Sequence, residues 1–119
     1  MTEYIKGEKV SPIRCTEIKK SLINQFTDSN KQAPLIWLKL NQKPNRITPE
    51  EAMKIKFPQE EVLFYLERSS KMFKTNITDI QTYIKKLDPW IELDAYIFDE
   101  SLSWLAIITH EDDWLTIGL

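Results

Sequence analysis

A chain of 119 residues, 42% hydrophobic and 29% charged, is long enough for one buried core and too short for two domains, so residues 1–119 are expected to form a single globular unit. Two glycines leave no way to write a glycine-rich phosphate loop, one cysteine (Cys15) excludes an internal disulfide and any CxxC metal knuckle, and no apolar run approaches membrane-spanning length. The net charge of −2 hides a division: residues 1–87 hold all 16 basic residues against 10 acids, whereas residues 88–119 hold eight acids and neither Lys nor Arg.

Taken in chain order, MTEYIKGEKV has no apolar h-region of a signal peptide, and with one cysteine the expected location is the reducing cytoplasm. SPIRCTEIKKSLINQF reads as an amphipathic helix. Ser11 can cap it, Pro12 suits the first turn, and Ile18, Leu22 and Phe26 recur on one face. PLIWLKL (34–40) is short and apolar between Pro34 and Asn41, which predicts a strand with Trp37 in the core. NQKPNRITP (41–49) reads as a surface loop. ITPEEAMKI then offers Thr48 as cap, Pro49 at the first helical position and Glu51 to close a capping box on a short helix.

VLFYL is rich in strand-favouring residues, and the reading taken is a strand with a turn at Ser69–Ser70. In NITDIQTYIKKLDP, Ile77, Ile80, Ile84 and Leu87 share a helical face; Asn76 or Thr78 can cap, and Asp88–Pro89 stops the helix. The last third changes to a period of two. DAYIFD, SWLAIITH and DWLTIGL read as three strands joined by the polar clusters DES and HEDD, a C-terminal antiparallel meander. In SWLAIITH, Trp104, Ala106, Ile108 and His110 alternate with Ser103, Leu105, Ile107 and Thr109, so both faces are partly apolar, as in a strand covered on both sides. The expected fold class is α+β, with amphipathic helices packed on one face of the antiparallel sheet.

Candidate chemistry centres on the lone histidine. In extended backbone, only His110 and Asp112 of HEDD can share a side, which is too few ligands for a closed zinc site. Asp94 and Asp99 on the neighbouring predicted strand could add carboxylates, so a small metal-dependent hydrolase centred on His110 is the alternative reading. Cys15 with His110 is the sole Cys–His combination, and a cysteine at the start of an amphipathic helix reads as a small buried apolar residue. Lys19–Lys20, Lys54, Lys56, Lys85 and Lys86 fall on polar helix faces, and only Arg14, Arg46 and Arg68 supply guanidinium. Direct nucleic-acid binding is therefore not expected. The acids of the last third either sit on a solvated face matched by lysines or form a docking surface. In the docking reading the partner-facing set is Asp94, Asp99, Glu100, Glu111, Asp112, Asp113 and Trp114, with carboxylates steering a cationic partner and tryptophan anchoring it.

The segment YIFDESLSWLAIITHED resembles a pattern of small bacterial proteins and of immunity proteins in bacterial toxin systems. The matching positions are Tyr96, Ile97, Phe98 and Asp99, then Trp104, Thr109, His110 and Glu111; the helix NITDIQTYIKKL and VLFYLER extend the likeness over residues 60–119. The resemblance implies a cytoplasmic protein without catalytic residues or cofactor, which binds and blocks a protein toxin, including toxins that attack nucleic acids. The acidic third suits a cationic toxin of that kind.

Overall fold

The computed structural model describes residues 5–119; Met1–Tyr4 of the MTEYIKGEKV stretch lie outside the described residues. Seven strands form one wholly antiparallel sheet: β1 (Glu8–Lys9), β2 (Asn45–Ile47), β3 (Val62–Leu66), β4 (Lys71–Thr75), β5 (Ala95–Phe98), β6 (Leu105–Ile108) and β7 (Trp114–Ile117). Their order is β1-β4-β3-β5-β6-β7-β2. The fold is therefore α+β with an antiparallel sheet, and β5, β6 and β7 make the C-terminal meander (Ala95 opposite Ile108, Ile108 opposite Trp114).

Three helices form where the capping residues direct them. In α1 (Pro12–Phe26) the Ser11 hydroxyl accepts the Arg14 N–H, and Cys15, Ile18, Leu22 and Phe26 are buried. Helix α2 (Pro49–Met53) starts with the full Thr48–Glu51 capping box. Helix α3 (Ile77–Lys86) begins at Asn76, whose side chain accepts the Asp79 N–H, and ends with Lys85 and Lys86 against its carbonyl end. No helix among the described residues is long and apolar enough to cross a membrane.

The helices do not share one face of the sheet. Alternation of period two places Leu63, Tyr65, Met72, Tyr96, Phe98, Leu105, Ile107, Leu115 and Ile117 against α1. The intervening residues Val62, Phe64, Ala95, Ile97, Trp104, Ala106 and Ile108 pack with Ile80 and Tyr83 of α3. A central strand covered on both sides must be apolar at every position, and this is why SWLAIITH and VLFYL lack a polar face. Trp104 is fully buried on the α3 side, stacked on Phe57 at 4.7 Å.

Two segments differ from the sequence reading. PLIWLKL holds no β-strand pairing over its apolar centre: Ile36–Leu38 is a 3-10 turn. The Ile36 N–H is directed to the Glu67 carboxylate (3.2 Å) and the Trp37 N–H to the Tyr96 hydroxyl (3.0 Å), so side chains take the donors that a ladder would have used. NQKPNRITP contains the edge strand β2, whose Asn45, Arg46 and Ile47 pair with Thr116, Leu115 and Trp114. Three residues with one apolar member carry no legible alternation. At the close of β7, Gly118 has φ +76°, and a side chain there would meet the Ser103 carbonyl at 2.6 Å, so this glycine is required where the β5–β6 turn crosses it.

Candidate functional site

The β6–β7 connection, residues 109–113, is built on Thr109. Its buried hydroxyl accepts the N–H groups of Glu111 (3.2 Å) and Asp113 (3.3 Å), and its own N–H donates to the Asp113 carbonyl. Asp112 takes φ +62°, a left-handed conformation that Asp and Asn tolerate better than most residues. The tight turn does not continue strand alternation. His110 swings towards Asp94 and Trp37, while Asp112 borders the α3 side of the sheet beside Ile108 and Trp114. His110 and Asp112 thus do not share a face.

Asp94, just ahead of β5, is the centre of a polar cluster. Only 1% of its surface is exposed. Its carboxylate accepts the Trp37 indole N–H (2.9 Å), the Arg68 Nε–H (2.6 Å) and the His110 backbone N–H (3.1 Å), and lies 3.0 Å from His110 Nδ1. Burial alone would raise the pKa of this carboxyl; the hydrogen bonds from Trp37, His110 and Arg68 outweigh it, and the net shift is downward. Arg68 also reaches Glu92 at 2.9 Å. Beside this cluster, Tyr96 donates its hydroxyl to Glu67 (2.6 Å). Burial pushes the Glu67 carboxyl up, against the opposing bonds from Tyr96 and Ile36. It also pushes the Tyr96 phenol far up, together with the neighbouring Glu67 charge.

This geometry gives Asp94 the task of tying four segments together: the 3-10 turn, the β3–β4 turn, the entry to β5 and the β6–β7 turn. Arg68 supplies the counter-charge within the cluster, and no group of three or more His, Cys, Asp or Glu that could hold a metal ion occurs among the described residues. Cys15 is buried on α1 with its thiol 3.8 Å from the Ser70 carbonyl, and burial raises its pKa, which suits a packed thiol rather than a nucleophile.

The acidic set separates into parts. Asp94 and Asp99 are buried, at 1% and 8% exposure, so neither can face a partner as the docking reading supposed. Asp99 instead folds the β5–β6 turn, accepting the Ser101 N–H and hydroxyl. The set also lies at two ends of the sheet. Asp99 and Glu100 follow β5, whereas Asp94 and residues 111–114 lie where β5 begins and β6 ends. Glu100 pairs with Arg14 (3.3 Å) and Asp113 with Arg46 (3.4 Å). All three arginines of the basic part are thus matched to acids of the last third, and no lysine forms an ion pair with those acids among the described residues. Glu111 and Asp112 remain exposed and unpaired there, and Trp114 is half-buried behind them.

Next to that turn, on the α3 side, lies an apolar groove of about 440 Å³ lined by Ala52, Met53, Ile84, Leu87, Ile91 and Trp114 among others. Its rim carries Asp88, Asp112 and Lys85. The sequence pointed to Trp114 and Asp112 but not to the groove, because α2, the end of α3 and β7 are far apart in the chain. Arg68 and Trp37 were missed as cluster members for the same reason. The signal that could have found Arg68 is its rarity: three guanidinium groups in a lysine-rich chain are better suited to holding carboxylates than to solvation. Comparisons with protein-family models, curated proteins and solved structures find no match to this chain.

Proposed function

We propose that this chain is an immunity-type protein, a cytoplasmic binding module that neutralises a cationic bacterial protein toxin by covering its active or substrate site. The observation that carries the reading is the β6–β7 turn. Thr109, the Asp94–His110 contact and the Arg46–Asp113 pair fix its backbone, while Glu111 and Asp112 stand exposed without a cation among the described residues. A turn whose backbone is already held loses little backbone freedom on binding, and its two carboxylates attract a basic surface at long range. The contact set is accordingly Glu111, Asp112 and Trp114. Asp94 and Asp113 position the turn, and Asp99 and Glu100 belong to the opposite end of the sheet.

The test is growth rescue. The C-terminal region of the secreted protein encoded beside this chain is expressed alone and then together with it. Arrest by the first and recovery with the second is the expected result. Arrest that persists while both proteins are soluble and folded overturns the reading, and so does a neighbour that is harmless.

A further inference from the structure

Among the described residues, six large hydrophobic side chains are exposed, and two of them line the groove beside the acidic turn: Met53 at 47% and Ile91 at 38%. Single exposed apolar residues are ordinary, whereas a cluster around a concave surface marks an interaction site. Pro89 lines the groove beside Ile91, and the groove's volume falls in the range of pockets that hold a ligand. The groove is also continuous with the acidic turn, since Asp112 belongs to both and Trp114, which follows the turn, lines the groove.

We propose that this groove receives an apolar side chain from a basic segment of the partner, with lysines or arginines flanking that anchor meeting Asp88, Glu111 and Asp112; this rests on the immunity-type reading and names the part of the toxin surface it needs. Charge selects this occupant. Among the described residues, the lining carries two carboxylates, Asp88 and Asp112, against a single cation, Lys85, and the exposed Glu111 adjoins Asp112. A two-fold contact with a second copy would set the same acidic patch against itself, which disfavours self-association through this face. An anchor in a pocket, ringed by complementary charge, is the arrangement in which a few aromatic contacts dominate affinity.

The probe is a fluorescein-labelled amphipathic peptide of leucine and lysine, with its leucine–glutamate counterpart as control, followed by anisotropy against the full chain. The lysine peptide is expected to bind and the glutamate peptide not to. Met53→Asp and Ile91→Ser, both at exposed positions of the lining that leave the core untouched, should each weaken binding roughly 30-fold. Equal binding of the two peptides, binding of neither, or insensitivity to both substitutions overturns the proposal. So does a dimer in sedimentation that Met53→Asp dissociates, because the occupant would then be a second copy. The same variants in the rescue assay separate the two readings: intact rescue by Met53→Asp removes the groove and leaves the immunity function, whereas failed rescue by the wild type with retained peptide binding does the reverse.

Discussion

Asp94 and Glu67 lie in adjoining hydrogen-bonded clusters, yet their carboxyls move in opposite directions, and stability should follow each differently. The native pKa of Asp94 is lowered, because donated hydrogen bonds outweigh the burial that would raise it. Its contribution is therefore complete above the unfolded value of about 4 and is lost as pH falls through the native one. Glu67 is raised, chiefly by burial. Its contribution is complete below the unfolded value of about 4.3 and is lost as pH rises through the native one. Asp94→Asn should cost about 3 kcal/mol at pH 7, near the lower end for a broken buried pair because Arg68 and His110 can turn towards water. That penalty should shrink below pH 4. Glu67→Gln, whose amide oxygen can still accept from Tyr96 and Ile36, should become less destabilising between pH 4 and pH 7. Urea titrations at pH 3, 4, 5.5 and 7 measure both; parallel profiles for the two variants would contradict the assignment. The sequence marked Asp94 as an acid of the last third, and it could not mark it as buried. That property depends on Trp37 and Arg68, 57 and 26 residues away along the chain.

Elements with strong local signals formed where the sequence placed them: the Ser11 and Thr48 caps, the α3 cap at Asn76, one of the two residues the sequence offered, the 3.6-residue stripe of α1, and the alternation of β5 to β7. Those that failed depend on partners. PLIWLKL has strand composition, but a strand needs a ladder, and here the donors of Ile36 and Trp37 are taken by Glu67 and Tyr96. The 3-10 turn of residues 36–38 is thus held from the sheet. Tyr96→Phe tests this, since it keeps the ring and removes the acceptor for Trp37 and the donor to Glu67. A loss of about 2 kcal/mol is expected, from a buried N–H and a carboxyl left with fewer partners. Backbone amides of Ile36–Lys39 should exchange faster with solvent in proportion. A variant that loses stability with those amides still protected would place the effect in the sheet instead.

For the whole molecule, arginine carries the ion pairs between the basic part and the acidic last third among the described residues. Folding brings Arg14, Arg46 and Arg68 onto Glu100, Asp113, Glu92 and Asp94, so four of the eight acids of the last third are paired with arginine within the fold. Glu111 and Asp112 are exposed without an arginine partner among the described residues, and Asp88 lines the same groove as Asp112. Both sheet edges are short, two residues in β1 and three in β2, which discourages partner binding by strand addition. Reversal of charge has to respect the backbone: Asp112 is left-handed, so Asp112→Asn preserves its conformation where lysine would strain it. Glu111→Lys combined with Asp112→Asn should slow association with the growth-arresting partner about tenfold at low salt, leave dissociation nearly unchanged, and lose its effect above roughly 0.5 M salt, where charges are screened within a few ångströms. Glu100→Lys, at the far end of the sheet, should leave the association rate unaltered. Stopped-flow association across a salt series compares them. If Glu100→Lys slows association as much as the turn variant, the steering field belongs to the whole acidic third and the turn has no special part in it. If only the turn variant is slow, arginine pairing inside the fold has confined recognition to one end of the sheet.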